Sequence, residues 1–310
     1  MNTVPLVSVA CITYNHECFI REALDGFLKQ KTTFPVELIV HDDASNDGTR
    51  DIIGEYKDKY PRLFNTILQE KNQWSNGGNI YGRFIYPRVK GKYLALCEGD
   101  DYWTDPFKLQ TQFEYLEKYP KVNLCFHPAI SMYENSEKHN EVISKHFNIN
   151  KLISTEEIII GGPHYCPTAS VCIRSNIIKH DLFVKHKLRY SYFRQIIASL
   201  EGGAIYVNKT MSVYRRGVDG SWNDRAKNSS LMLYKHHKKI FKYLKILDKY
   251  TNGSYKESIR DVFSKRFFDI MKNDTLLMYH KCVLFIWHMK YKIQFIDYLI
   301  SRLKNKYLQT

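Results

Sequence analysis

"LVSVACIT" (residues 6–13) is a continuous β-rich apolar run, and it leads into "ECFIREALDGFLKQ" (residues 17–30), where Phe19, Ile20, Ala23, Leu24, Phe27 and Leu28 recur at helical spacing. A strand apolar on both faces needs cover on both, and an amphipathic helix supplies it. The pair therefore reads as a β–α unit of a parallel sheet. The pattern repeats with "VELIV" (36–40) and a helix from Thr49 to Tyr60 that carries Ile52, Ile53 and Tyr56 on one side and stops at Pro61. "NTILQ" (65–69), "KYLALC" (92–97) and "NLCFH" (123–127) are further strands. Before the last of them, Thr104 is expected to cap a helix with Pro106 in its first turn and Phe107, Leu109, Phe113 and Leu116 as its buried stripe. Such alternation predicts an α/β fold with a mainly parallel sheet flanked by helices. Further on, Ser154 and Glu157 form a capping box, Gly161–Gly162 ends that helix, and "TASVCIR" (168–174) and "AIYV" (204–207) read as strands.

At 310 residues and 44% hydrophobic content the chain can bury a sizeable core, as one large domain or two. Seven cysteines form no C-x-x-C pair, and Cys11, Cys97 and Cys125 fall in strand-like runs where cysteine serves as a small hydrophobe. A reduced, cytoplasmic compartment is expected. The sequence shows no export signal and no run of eighteen apolar residues. Charge is unevenly spread: residues 225–310 carry 19 Lys and Arg against 6 Asp and Glu, whereas residues 1–224 are nearly balanced at 27 against 26. The last 86 residues thus read as a basic helical extension, with an anionic membrane surface as a candidate partner. Within it, segment 276–300 alternates Val283-Leu284-Phe285-Ile286-Trp287 with Lys281, Lys290 and Lys292, the pattern of an interfacial helix or of a helix packed on the catalytic domain.

In open α/β sheets, ligands bind beyond the carboxyl ends of the strands. The loops there read Thr13-Tyr14-Asn15-His16, His41-Asp42-Asp43-Ala44-Ser45-Asn46-Asp47, Asn72 to Gly78, and Glu98-Gly99-Asp100-Asp101. Neither G-x-G-x-x-G nor G-x-x-x-x-G-K is present, so a dinucleotide fingerprint and a P-loop are both excluded. Three carboxylates within four residues would repel an anionic ligand unless a divalent cation, Mg²⁺ or Mn²⁺, stood between them and its phosphates.

Taken together, "VSVACITYNHECFIREALDGFLKQ", "ELIVHDDASNDGTRDII" and "GKYLALCEGDDYWTDPFKLQTQ" resemble the bacterial family 2 glycosyltransferases, inverting enzymes of the GT-A fold that use nucleotide-sugar donors. The resemblance covers the first 125 residues strongly. It implies a nucleotide-sugar-binding region over 1–125, an acceptor-side part of the same domain over 126–224, and the basic extension over 225–310. It further implies that Thr13, Tyr14 and Asn15 with Asp42 and Asp43 line a nucleoside pocket, that Glu98 and Asp100 stand at the D-x-D position and hold the metal, and that Asp101 lies near the sugar or acceptor. "MSVYRRGVDGSW" resembles the loop that closes over the diphosphate, which brings in Arg215 and Arg216. Two departures stand out: Ser191-Tyr192 occupies the place of the usual acidic general base, and Gly217 the place of a histidine after the tyrosine–arginine pair. By motif position the candidates for the base are Asp101, whose plain role would be to orient the donor sugar, and Asp219; Glu201, nine residues beyond Tyr192, is expected to face elsewhere.

These residues also have plain structural readings. Asp42, Asp43, Ser45 and Asp47 suit a helix cap. His16, His164, His236 and His237 read as ordinary surface or hydrogen-bonded histidines, Trp103 as core, and Tyr14 as either core packing or base stacking. The expected activity is transfer of a sugar to a saccharide or lipid-linked saccharide acceptor in bacterial surface polysaccharide synthesis, in a cytoplasmic protein peripheral to the cell membrane. Its competitors are a relative that binds nucleotide sugar without catalysis and a nucleic-acid-binding protein. The latter rests only on the basic C-terminus, so no nucleic-acid partner is expected.

Overall fold

The computed structural model describes residues 4–133, 140–188, 190–218 and 221–289. The chain forms two compact units, Met1–Val218 and Asp219–Thr310. The first opens with the expected β–α units: β1 (Val7–Thr13), α1 (Ile20–Leu28), β2 (Val36–Asp42), α2 (Thr49–Lys59), β3 (Phe64–Leu68) and β4 (Tyr93–Glu98). There follow β5 (Tyr102–Trp103), α3 (Lys108–Lys118), β6 (Leu124–Phe126), β7 (Ala129–Tyr133), β8 (Glu141–Ile143) and β9 (Lys151–Ile153). The unit ends with α4 (Thr155–Gly161), β10 (Cys172–Arg174), α5 (Asp181–Val184), α6 (Ser191–Ser199), β11 (Ala204–Tyr206) and β12 (Ser212–Arg216).

Eight strands make one sheet in the order β3-β2-β1-β4-β10-β6-β11-β9, and β5-β12-β7-β8 make a second. The half built from β3, β2, β1 and β4 is wholly parallel. β1 is buried nearly end to end because sheet and helices cover it on both sides, as its unbroken apolar run requires. Register then fixes the site: Thr13 is paired with Asp42 and Ile12 with Glu98, so three loops leave the sheet side by side. In the second sheet, Ser212 is paired with Trp103 and Val213 with Tyr102, which carries Arg215 to the turn at Asp100 and Asp101.

Two local expectations are corrected. Thr104 caps no helix: its N–H is bonded to the Met211 carbonyl, and α3 starts only at Lys108, after Asp105 Oδ1 has accepted from Phe107 N at 2.7 Å. The buried stripe is accordingly Lys108, Leu109, Gln112 and Leu116, while Phe107 is 48% exposed. Lys108 is buried because its ammonium sits 4.1 Å from the Trp103 ring centre and donates to Gln112 Oε1 at 2.7 Å; burial pushes its pKa down to about 8. "TASVCIR" is strand only over Cys172–Arg174, with a 3₁₀ turn over Thr168–Ser170. There the Ala169 and Ser170 carbonyls are taken by Trp103 Nε1 (2.8 Å) and Gln112 Nε2 (2.7 Å) in place of a strand ladder. The capping box of Ser154 and Glu157 is present, and Gly162 ends α4 with φ 76°.

The second unit is helical: α7 (Trp222–Lys227), α8 (Ser230–Tyr250), α9 (Lys256–Lys272) and α10 (Met278–Met289). α8 and α9 bury complementary stripes, Ile240, Phe241, Leu244 and Leu247 against Ile259, Phe263, Phe267 and Ile270, with Phe241 and Phe263 stacked at 4.8 Å. Residues 290–300 of the basic segment lie outside the described residues. Lys281 does not face solvent as a charged membrane contact would: it is buried and donates to the Met271 carbonyl at 2.9 Å. Among the described residues no helix is long and apolar enough to cross a membrane.

Candidate functional site

The loops after β1 and β2 are tied to each other by side chains, among them Asn15, which the resemblance places in a nucleoside pocket. Asn15, at φ 53°, donates its N–H to Ser45 Oγ (2.9 Å) and accepts from Asn46 N through Oδ1 (3.0 Å). His16 N donates to Thr49 Oγ1 (2.9 Å), and Asp47 accepts from Glu17 N and Thr49 N, both at 3.0 Å. Asp42 is fully buried; its carboxylate accepts from the Ser45 N–H and hydroxyl, and burial outweighs these bonds to raise its pKa. Asp43 accepts from Gln73 N (2.7 Å) and Trp74 N (3.0 Å), so both its oxygens hold the loop after β3. The two acids thus act here as loop anchors, close to their plain structural reading. Tyr14, at 41% exposure, is not part of the core.

The turn after β4 gathers the acidic charge. One ligand atom from each of Glu98, Asp100 and Asp101 lies within 4.8 Å of the others. Gly99 makes the turn possible, since a Cβ there would stand 2.6 Å from Thr13 Oγ1 and 3.0 Å from His16 Nδ1. Burial first, and then Asp100, pushes the Glu98 pKa up to about 7 against the opposing charge of Arg194. Asp101 is fully buried; Oδ1 accepts from Arg215 N at 2.9 Å, while Oδ2 has no hydrogen-bond partner among the described residues. Burial, reinforced by Asp100 and Glu98, raises its pKa well above the carboxylate range. An uncompensated carboxylate oxygen within a group of three acids fits a hard cation with oxygen ligands.

Arg215 is held by the protein more fully than its expected diphosphate role implies. Its guanidinium donates to the Asp100 carbonyl (2.6 Å) and to Glu22, and it lies 4.9 Å and 4.7 Å from the ring centres of Phe19 and Tyr102. Glu22, which the sequence did not single out, and His16, expected to be an ordinary histidine, also lie at this turn, with His16 Nε2 3.9 Å from Asp100 Oδ2. Arg216 donates to Tyr133 OH at 3.3 Å and keeps a buried Nε without a hydrogen-bond partner among the described residues. Asp219 lies outside the described residues.

Tyr192, at the expected base position, points into the core: it is 1% exposed and donates to the Ile159 carbonyl at 2.5 Å. Tyr192→Phe is expected to lower unfolding free energy by about 1 kcal/mol, the cost of an unpaired buried carbonyl, and to leave catalysis at the acidic turn unchanged. Denaturant unfolding beside an activity assay checks both; a large loss of rate in a normally stable variant would place Tyr192 in catalysis. Two residues on, Arg194 was also missed. It is buried, 3.8 Å from the Tyr81 ring centre, with Nε on Tyr86 OH at 3.1 Å, and it supplies the positive charge facing Glu98.

A family model described as glycosyl transferase family 2 matches residues 8–220. An uncharacterised protein of Mycobacterium tuberculosis (strain ATCC 25618 / H37Rv) is 38% identical over 217 residues, which are 70% of this chain and 60% of that protein. The chain therefore spans about 60% of that relative's length. The Escherichia coli protein WfaP, a UDP-Glc:alpha-D-GlcNAc-diphosphoundecaprenol beta-1,3-glucosyltransferase, is 32% identical over 112 residues, 36% of this chain and 41% of that protein. In fold, S. aureus TarS 1–349 in complex with UDP-GlcNAc is similar with a TM-score of 0.57 at 18% identity, covering 77% of this chain and 66% of that one. With the family match running from β1 through the site loops to the end of the first unit, on an architecture similar to that of TarS, the chain belongs to glycosyl transferase family 2 and has the GT-A fold.

Proposed function

We propose that this glycosyltransferase moves a sugar, with inversion, from a nucleotide-diphosphate donor to a hydroxyl of a saccharide or lipid-linked saccharide acceptor in surface polysaccharide synthesis. The observation that carries it is the grouping of Glu98, Asp100 and Asp101 at the end of β4, the strand paired with β1, whose following loop carries the exposed Tyr14. UDP-GlcNAc in TarS and the diphosphoundecaprenol-linked acceptor named for WfaP support the donor and acceptor classes. Glu98 and Asp100 would hold Mn²⁺ or Mg²⁺, whose charge stabilises the leaving diphosphate. Tyr14 packs on the nucleobase, and Arg216, with an Nε to spare, is better supplied for the diphosphate than Arg215. We assign Asp101 as the base that takes the acceptor's proton, through Oδ2, since Oδ1 is committed to Arg215 N; a cation on Glu98 and Asp100 would favour its ionised form.

The buried Tyr192 in the place of an acid favours one alternative, a nucleotide-sugar-binding relative without transfer. Thermal-shift screening of nucleotide sugars with Mn²⁺, followed by single-turnover transfer across pH for wild type and Asp101→Asn, separates the two. Transfer with an acid limb lost in Asp101→Asn supports the proposal, whereas donor binding with no transfer to any acceptor leaves the alternative.

The second unit fits an anionic membrane surface where a lipid-linked acceptor is found. On α10, Met278 and Phe285 share one heptad position and Tyr279 and Ile286 the next, and all four are exposed, Tyr279 by 73%. The protein is expected to float with anionic vesicles at low salt and to be released at high salt. Sedimentation free of vesicles at low salt would remove the membrane from this reading.

A further inference from the structure

A cavity of about 250 Å³ lies within the first unit, between residues 79–86 and residues 178–184, and none of Glu98, Asp100 and Asp101 lines it. The first stretch belongs to the part that the resemblance gives to the donor, the second to the part it gives to the acceptor. Aromatic rings supply much of the wall: Tyr81 and Tyr86 stand 5.9 Å apart by ring centres, and Phe183 meets Tyr86 edge-on at 6.3 Å. Ile178 and Val184 add aliphatic surface, and Val184, 59% exposed, stands at the mouth. No carboxylate, ammonium, guanidinium or imidazole is among the described residues that line the cavity.

The walls are held in shape from behind. Arg194, itself 3% exposed, stacks 3.8 Å from the Tyr81 ring centre and donates from Nε to Tyr86 OH at 3.1 Å, so one guanidinium fixes both tyrosines. The same guanidinium acts on Glu98, which puts the cavity in the neighbourhood of the acid turn without opening it onto the carboxylates. Asn79, also on the wall, has φ 65°, a left-handed conformation that asparagine tolerates. Its amide lies over Gly82, where any Cβ would come within 2.6 Å of it.

An uncharged wall offers little to a phosphate or a metal ion. Aromatic faces suit the electron-poor C–H bonds of a pyranose ring, while an amide and phenol groups suit its hydroxyls. The volume is about eight times the ~30 Å³ share of a water molecule and lies below the ~300 Å³ at which pockets for drug-sized ligands begin, so it admits one ring and no nucleotide. We propose that this cavity binds one uncharged pyranose ring of the saccharide acceptor, a ring other than the one whose hydroxyl reacts. This assignment rests on the saccharide-acceptor reading above.

Saturation-transfer NMR of the full chain with the methyl pyranosides of glucose, galactose, mannose, N-acetylglucosamine and rhamnose tests it. At least one is expected to bind wild type, and to bind about 10-fold more weakly both to Val184→Trp, which plugs the mouth from an exposed position, and to Asn79→Gly, which removes the amide and keeps the backbone. Affinity for UDP-GlcNAc with Mn²⁺ is expected to stay at the wild-type value in both variants. Wild type that binds none of the five pyranosides overturns the assignment and depends on no variant folding; so does binding that persists undiminished in Val184→Trp. Cyclohexanol bound more tightly than every pyranoside also overturns it, in favour of an apolar ligand. Transfer kinetics separate the two levels. If saccharides are glycosylated with the same acceptor KM by Val184→Trp as by wild type, the cavity assignment alone fails. If a pyranoside binds at the cavity yet no saccharide is glycosylated by wild type, the acceptor reading fails and takes this acceptor site with it.

Discussion

Asp100→Asn is expected to bind nucleotide sugar no better with Mn²⁺ than without it, a loss of about 100-fold or more in metal-dependent affinity. Loss of outer-shell partners alone costs about 10–100-fold, and a direct carboxylate ligand contributes at least as much. The fold should survive, because the hydrogen bond that joins Asp100 to Arg215 uses the Asp100 carbonyl, which asparagine keeps. Titration calorimetry with UDP-GlcNAc, with and without Mn²⁺, measures the difference, and metal-dependent affinity equal to wild type would sink the assignment. A pH effect accompanies it. In the folded chain Glu98 titrates at about 7 and Asp101 well above its ordinary range, so without cation the fold holds more protons than the unfolded chain. Stability from these groups is full below the ordinary carboxylate pKa and is lost as pH rises toward about 7 and beyond. A cation binds the deprotonated acids, so the thermal stabilisation by Mn²⁺ is expected to grow over that same interval.

The parallel half of the fold was legible because its signal is local and redundant. The runs at 6–13 and 36–40 and the helix faces between them each point to the same layer, and the site loops follow from strand direction alone. What sequence could not supply was the pairing of distant segments. The register that sets Ser212 against Trp103 brings Arg215 to Asp100, and nothing in "YRRG" discloses that Glu22, from α1, is its partner. Lys108 escaped for a related reason: a lysine reads as solvent-facing unless a specific ring, here Trp103, and an amide, here Gln112, are known to receive it. His16 stood in plain view in "TYNHE", yet a lone histidine carries no chemistry until a neighbour is placed at 3.9 Å. Asp42 and Asp43 show the converse, since the motif located them correctly at the strand end while the structure gives their oxygens to the protein's own N–H groups.

Arg215→Ala is expected to lower unfolding free energy by about 3 kcal/mol and to weaken Mn²⁺ binding about 10-fold through the turn it secures. The ion pair with Glu22 contributes little of this, because Glu22 is 56% exposed and water screens it. The larger losses are the buried bond to the Asp100 carbonyl and the volume of a guanidinium between Phe19 and Tyr102, whose removal leaves a cavity beside the Asp101 anchor. Arg215→Lys should recover only part, since a single ammonium lacks the planar fork that reaches Glu22 and the Asp100 carbonyl together. Glu22→Gln should cost under about 1 kcal/mol, as expected for an exposed partner. Urea unfolding of the three variants, read beside Mn²⁺ titration, separates a structural clamp from a ligand contact. If Arg215→Ala keeps wild-type stability and Mn²⁺ affinity yet no longer binds the nucleotide diphosphate, the guanidinium serves the donor, as the resemblance implies, and its bonds to Glu22 and Asp100 give way when the donor arrives.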